Sequence, residues 1–356
     1  MKESKRAGEM VRWLVLIAAG ALAAWAMAYW LPAAYDWHMF FRPAVLGWLQ
    51  GRSPYAVEVG FPNPPWMLLC LLPFALPPEP VGRALLVIFT VTVFVMALRS
   101  VRRRRLASVL TLLSFPFLIS FWNGQMEAFP MLGVVIGYWA IQKRRPGWLS
   151  VGLLLMAIKP QETALVILVM LWAVRRWHWK EWARTVALPA IALIFSLVVF
   201  RLDWLRILLV TGDAMPQTWV NISWVWRVVA PVWPWLAMVY SLSVVALALA
   251  LTLPRPLTRY TVAVVVVATV LASPYVASHH LVLALVLAWP WLLDRQLALG
   301  LVVYLTTLTP LARWQGDQAL NWLDFFFPVV VMAALVWFYR ESASDQTLES
   351  QSCAAR

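Results

Sequence analysis

The sequence predicts an all-α polytopic membrane protein, and its composition, its charge placement and the length of its apolar runs all support this class. Of the 356 residues, 63% are hydrophobic and 13% are charged, whereas soluble domains carry roughly 25% charged residues. The apolar runs are separated by short basic clusters such as RSVRRRR at 99–105 and QKRRP at 142–146, a pattern typical of cytoplasmic loops. We therefore expect one membrane domain over 1–340 and a disordered cytoplasmic tail over 341–356.

The net charge of +13 does not indicate nucleic-acid binding, because the basic residues are divided among many loops instead of forming one patch. Cys70 and Cys353 are the two cysteines. They are far apart in the chain and, on the topology below, on opposite sides of the membrane, so no disulfide framework or metal cluster is expected. We expect a multi-pass protein of the cell membrane that contacts membrane lipids.

A bundle of about twelve transmembrane helices follows from the run lengths, since a span needs about 20 apolar residues and basic loops set its direction. Both termini then face the cytoplasm. The predicted spans are 11–31, 82–99, 106–122, 128–142, 146–158, 162–174, 185–201, 234–253, 258–272, 279–293, 297–312 and 325–340.

Three runs do not fit simple spans. The segment 64–78 is short and flanked by proline, so we interpret it as an interfacial or re-entrant helix within a first outer loop over 32–81. The runs 146–158 and 162–174 are also short and meet at KPQE, residues 159–162. They are interpreted as broken or tilted helices that meet at a polar pocket.

This topology gathers polar residues on the outer face, with Asp36 about five residues past the first span. The polar residues predicted to lie there are Asp36, His38, Arg42, Glu58, Asn63, Asn123, Gln125, Glu127, Lys159, Gln161, Glu162, His279 and His280. Gly-rich phosphate loops, HExxH, GxSxG and CxxC are missing from the sequence, which argues against several common enzyme chemistries.

Several short stretches follow one another in a recognisable order. They are GRSPY at 51–55, FPNPPW at 61–66, WNGQMEAF at 122–129, AIKPQE at 157–162 and SPYVASHHLVL at 273–283. Together with an Asp after the first span, they resemble the membrane glycosyltransferases of the GT-C superfamily. The resemblance is closest to glycosyltransferase family 87, the polyprenyl-phosphate-mannose-dependent mannosyltransferases.

The resemblance implies an inverting hexosyltransferase that moves a sugar, mannose in this family, from a polyprenyl-phosphate donor to a lipid or glycan acceptor at the outer face. It implies that Asp36 is catalytic. The substrate-binding residues matched to the motifs are Arg42, Asn63, Gln125, Glu127, Lys159, Gln161, His279 and His280. Two departures bear on the acceptor: the family often has an amide where Glu127 stands and an aromatic residue where Ala277 and Ser278 stand.

Sugar transfer from a polyprenyl phosphate requires one carboxylate as a base and positive charges near the leaving phosphate. A sugar hydroxyl needs a base as it attacks the anomeric carbon, and polyprenyl phosphate leaves as a stable anion without a general acid. Glycoside hydrolysis, in contrast, uses two carboxylates. Lys159, His279, His280 and Arg42 are the candidates to stabilise the leaving phosphate, and we expect neither a metal nor a cofactor.

Each of these residues also has a purely structural interpretation. Asp36 could cap the short helix that follows it, Lys159 could extend to the membrane interface, and Glu127 could be solvated at the end of a span. His279 and His280 could be ordinary interfacial hydrogen-bonding groups.

Two other functions remain open from the sequence. A transporter or lipid flippase would place ionisable groups near the bilayer midplane, and Lys159 with Glu162 is the pair that supports this alternative. A catalytically inactive scaffold is the other, and the two departures from the family motifs support it.

Overall fold

The computed structural model describes residues 20–56 apart from 21, 24 and 32, then 61–100, 103–206, 222–308 and 323–339. Within these residues every regular element is helical, which confirms the all-α class. Most of the predicted first span, part of the outer loop at 202–223, the end of the run 297–312 and the tail 341–356 lie outside the described residues.

The chain begins with helical residues within 20–30 and a π-helical turn, Trp37–Phe41, which continues directly into α1. The helices are α1 Arg42–Leu49, α2 Trp66–Ala75, α3 Glu79–Ala97, α4 Arg104–Leu113, α5 Phe115–Asn123, α6 Ala128–Gln142, α7 Pro146–Met156, α8 Pro160–Ala173, α9 Trp179–Phe200, α10 Pro234–Thr252, α11 Arg259–Ala272, α12 Leu281–Leu287, α13 Trp289–Arg295, α14 Leu297–Leu305 and α15 Leu323–Trp337.

Two predicted spans are broken in the structure. The run 106–122 consists of α4 and α5, which meet at an angle of 57°. Ser114 is extended there, and its hydroxyl accepts a hydrogen bond from the Phe117 amide to cap α5. The run 279–293 divides at Ala288 into α12 and α13, with Pro290 in the first turn of α13, where proline's missing N–H costs least.

One boundary prediction was six residues late. The predicted span 185–201 begins at Trp179 instead, because His178 caps α9. The His178 ring accepts from the Lys180 amide, and the Glu181 carboxylate accepts from the His178 amide. This reciprocal arrangement satisfies N–H groups that would otherwise lack partners at the helix start.

Few of the predicted spans form one helix long enough to cross a membrane alone. Among the described residues, three helices (α3, α9 and α10) are long and apolar enough to cross a membrane, or four if the bent pair α4–α5 is one span. Several other apolar helices are shorter than a full span. Helix α2 has ten residues, about 15 Å, which is half the thickness of a bilayer core.

Helix α11 lies at the centre of the main apolar core. Its residues from Tyr260 to Leu271 are all buried, as expected of a helix that is apolar on every side and enclosed by others. A second apolar cluster surrounds Trp37, and it joins the π-helical turn, α1 and α2 to Met126, Phe129 and Phe200. The predicted outer-loop segment is therefore packed onto the bundle.

The basic loops gather at one end of the bundle. The Arg103 amide and the Arg259 guanidinium both bond to Asp294, and Arg144 pairs with Glu181 at 2.9 Å. At the other end, the start of α3 and the α5–α6 turn approach Trp37, and the α7–α8 break and the segment after α11 meet at Glu127. The candidate site lies at this second end.

Candidate active site

Asp36 lies immediately before the π-helical turn, and its side chain makes no capping hydrogen bond. The capping interpretation is therefore wrong. Instead, Asp36 Oδ2 accepts a hydrogen bond from Gln125 Nε2, which comes from the turn between α5 and α6. Asp36 is partly exposed, so its carboxylate can meet a ligand.

Desolvation governs the acidity of Asp36. Burial raises the pKa of its carboxyl to about 6, and the nearby Glu127 carboxylate contributes to this rise. The positive charge of Lys159 and the hydrogen bond from Gln125 both lower the pKa and so limit the rise. The group is still mainly ionised at neutral pH, and it is a stronger base than an ordinary aspartate.

Gly124 brings Gln125 close to the Asp36 segment. It ends α5 in the left-handed conformation, with φ of 71°. A Cβ at this position would lie 2.8 Å from Trp37 Cβ and 2.9 Å from Ala34 Cβ. Only glycine allows both this backbone conformation and this close approach.

Lys159 is buried between two carboxylates at the break between α7 and α8. Its Nζ lies 2.6 Å from Glu127 Oε1 and 3.3 Å from Glu162 Oε1. It also donates to Gln125 Oε1 at 3.5 Å, which orients that amide toward Asp36. With 4% of Lys159 and 0% of Glu127 exposed, the interpretations of an interfacial lysine and a solvated glutamate are both wrong.

The break itself is stabilised by a side chain. Thr163 Oγ1 donates toward the carbonyls of Met156 and Lys159, at 2.7 and 3.0 Å. Each carbonyl also accepts a backbone N–H, that of Met156 from Lys159 and that of Lys159 from Glu162. The Thr163 hydroxyl therefore adds a further bond that ties the end of α7 to the start of α8. Pro160 opens α8, and Lys159 precedes it with a non-helical backbone and places its side chain in the cluster.

The two histidines complete the cluster. His279 Nε2 lies 3.9 Å from Glu127 Oε1, and His280 Nε2 lies 3.5 Å from Glu162 Oε1. The Ala277 amide donates to His280 Nδ1 at 3.1 Å. In the neutral ring the proton is then on Nε2, which faces the Glu162 carboxylate.

The structure thus brings Asp36, Gln125, Glu127, Lys159, His279 and His280 into one cluster. It does not place the other three matched residues there. Arg42 donates to the Pro77 carbonyl at 3.3 Å, the Asn63 carbonyl accepts from Tyr55, and Gln161 is exposed.

Two members of the cluster were not among the matched site residues. Ser120 Oγ donates to Glu127 Oε2 at 2.7 Å, and Glu162 is 1% exposed beside Lys159. The sequence indicates a functional role for Glu162, because a carboxylate next to an apolar helical run is rare and often functional. Ser120 had no such signal, since serine commonly occurs in apolar helices.

The Lys159 ammonium lies against the carboxyl groups of Glu127 and Glu162, so it is paired within the protein. Its role at a leaving phosphate stays a prediction. Among the described residues, no group of three or more His, Cys, Asp or Glu side chains is arranged to hold a metal ion.

The model of glycosyltransferase family 87 matches residues 61–274, which is more than half of the chain. The chain belongs to glycosyltransferase family 87. A member of glycosyltransferase family 87 is a membrane glycosyltransferase that uses a sugar donor and an acceptor, in agreement with the apolar helices. The matched region contains Gln125, Glu127 and Lys159, whereas Asp36 and the histidine pair lie outside it. No curated protein and no solved structure matches the chain.

Proposed function

We propose that this glycosyltransferase transfers mannose from a polyprenyl-phosphate donor to a glycolipid or glycan acceptor at the outer face of the cell membrane. Asp36 acts as the general base. The donor class, the sugar and the inverting stereochemistry follow from the family resemblance, and the role of Asp36 is also supported by its surroundings.

The reaction needs one proton acceptor. An acceptor hydroxyl gives its proton to Asp36 as its oxygen forms a bond to the anomeric carbon, and the bond from that carbon to the phosphate oxygen breaks. The electron pair leaves with polyprenyl phosphate, a stable anion that needs no proton. A positioned base contributes roughly 10²–10⁴-fold to such a step.

The observation that carries the proposal is the contrast among the three carboxylates of the cluster. Glu127 and Glu162 are 0% and 1% exposed and both lie against Lys159. Asp36 is partly exposed, and Gln125 holds one of its oxygens. Among the described residues of the cluster, it is the carboxylate able to meet an incoming hydroxyl.

Transport is the alternative function that the Lys159–Glu162 pair suggested. Family membership favours transfer over transport. The pairing of Lys159 with Glu127 also gives the buried lysine a structural role, because removing a buried charge's partner is strongly destabilising.

The proposal is tested with membranes that contain the wild-type protein or the Asp36→Asn variant, incubated with radiolabelled polyprenyl-phosphate mannose. We expect labelled glycolipid or glycan with the wild type and a loss of at least about 100-fold in the variant, at equal protein levels. Asp203→Asn is the matched control, because Asp203 is exposed and the substitution removes the same negative charge. Full transfer by Asp36→Asn would refute the role of Asp36.

A further inference from the structure

A group of buried hydrogen-bond donors lies near Trp37, at the start of α3. Arg83 is 2% exposed, and its Nε, Nη1 and Nη2 atoms have no hydrogen-bond partner among the residues that the structure describes. Within the same residues, Arg42 Nε and Trp37 Nε1 are also buried without a partner. A guanidinium carries five N–H donors and no acceptor, so the unmet requirement here is for an acceptor.

These donors belong to neighbouring parts of the fold. Arg83 follows Gly82, where a Cβ would lie 3.6 Å from the Trp37 ring. Arg83 and Glu79 are four residues apart on α3 and therefore share one face of the helix. Arg42 Nη1 lies 3.9 Å from Glu79 Oε2, which puts Glu79 between the two arginines.

The charges around Glu79 do not balance. Glu79 is the carboxylate that interacts electrostatically with Arg83 in the described part of the chain. Its Oε1 atom, however, is 2.6 Å from His38 Nδ1, and its other oxygen faces Arg42. Two guanidinium groups and a histidine thus share one acid, and a buried cation without a partner is costly. An additional anion would remove this cost.

The position of Arg83 indicates what kind of anion can reach it. Helix α3 is one of the helices long and apolar enough to cross a membrane, and Arg83 is in its second turn. The ends of such a helix lie where lipid phosphates lie. Arginine forks also match the geometry of phosphate oxygens.

We propose that Arg83, together with Arg42 and the Trp37 indole N–H, binds the phosphate group of a lipid at the start of α3. The phosphate comes either from the polyprenyl-phosphate donor or from an anionic phospholipid of the bilayer. The first source rests on the proposed function, and the second does not. In the absence of the phosphate, Glu79 partly compensates the two arginines.

The test measures binding and requires no sugar transfer. The purified protein in phosphatidylcholine nanodiscs is titrated with labelled undecaprenyl phosphate and, separately, with undecaprenol, which lacks the phosphate. We expect the wild type to prefer the phosphate, and Arg83→Met to bind it roughly ten- to a hundredfold more weakly. Arg99→Met is the matched control, because Arg99 is exposed at the opposite end of α3 and should leave binding unchanged.

A second variant moves binding in the opposite direction and cannot be explained by misfolding. Glu79→Gln removes the competing acid, so it should tighten binding of undecaprenyl phosphate. Unchanged or weaker binding by Glu79→Gln, equal binding of undecaprenol by the wild type, or full binding by Arg83→Met would each overturn the site.

The two sources are separated by adding phosphatidylglycerol to the nanodiscs. If phosphatidylglycerol displaces undecaprenyl phosphate, the site binds a phospholipid of the bilayer. If undecaprenyl phosphate stays bound, the site binds the phosphate of the polyprenyl-phosphate donor. The titration measures binding of undecaprenyl phosphate without any sugar transfer. A failure of the catalytic proposal therefore leaves this binding result intact.

Discussion

Gln125 connects the proposed base to the buried charges. Its amide donates to Asp36 through Nε2 and accepts from Lys159 at Oε1, 3.5 Å away. Because Lys159 can only donate, it fixes which end of the amide faces the carboxylate. The acidity of Asp36 thus depends on a lysine that does not contact it directly.

The rate of transfer should fall as the pH drops through about 6, because burial raises the pKa of Asp36 to that value and only the ionised form accepts a proton. Gln125→Leu removes a hydrogen bond that lowers this pKa, so the midpoint of the pH–rate profile should move upward. Gln50→Leu, which changes an exposed amide, is the control and should leave the midpoint unchanged. A midpoint unaffected by Gln125→Leu would contradict the positioning role.

At the scale of helices, the sequence predicted the break between α7 and α8 but not those inside 106–122 and 279–293. The first break is visible because Lys159, Pro160 and Glu162 interrupt an apolar run. The other two breaks precede Pro116 and Pro290, which lie in the first turns of α5 and α13. Proline there is a signal of a helix start, but a prediction from run length alone does not use it.

The same limit applies to the site. From the motifs and the predicted topology, the sequence analysis expected Asp36, Lys159 and the two histidines to lie on the same side of the membrane. The pairing of Lys159 with Glu127, from a turn 32 residues earlier, depends on how α6 packs against α7. Arg42 followed the motif order but points to Glu79 instead.

Gly124→Ala should displace the element that carries Asp36. The new Cβ would meet Trp37 Cβ at 2.8 Å on a backbone with φ of 71°, so we expect a loss of roughly 1–3 kcal/mol in stability and a lower transfer rate. Thermal unfolding in detergent and the radiolabel assay measure the two effects. Gly147→Ala is the control, since nothing lies within 4 Å of its Cβ; equal behaviour of the two variants would contradict the close approach.

Over the whole molecule, charge is separated along the bundle. The basic loops meet at one end, where Arg255 Nη2 donates to the Tyr339 carbonyl at 3.1 Å and Gln142 donates to the Leu257 carbonyl at 3.0 Å. The cluster around Asp36 and Lys159 lies at the other end. Since basic loops favour the cytoplasm, we expect the proposed active site to lie on the outer face.

Labelling with a membrane-impermeant maleimide tests this orientation. In a background with Cys70→Ala and Cys353→Ser, a single cysteine is introduced as Tyr35→Cys beside the cluster or as Arg176→Cys at the basic end; both positions are exposed. We expect position 35 to react in intact cells and position 176 to react only after permeabilisation, because the basic end is retained in the cytoplasm. The reverse pattern would place the proposed site on the cytoplasmic side, and a polyprenyl-phosphate donor would then have to be used from the inner leaflet.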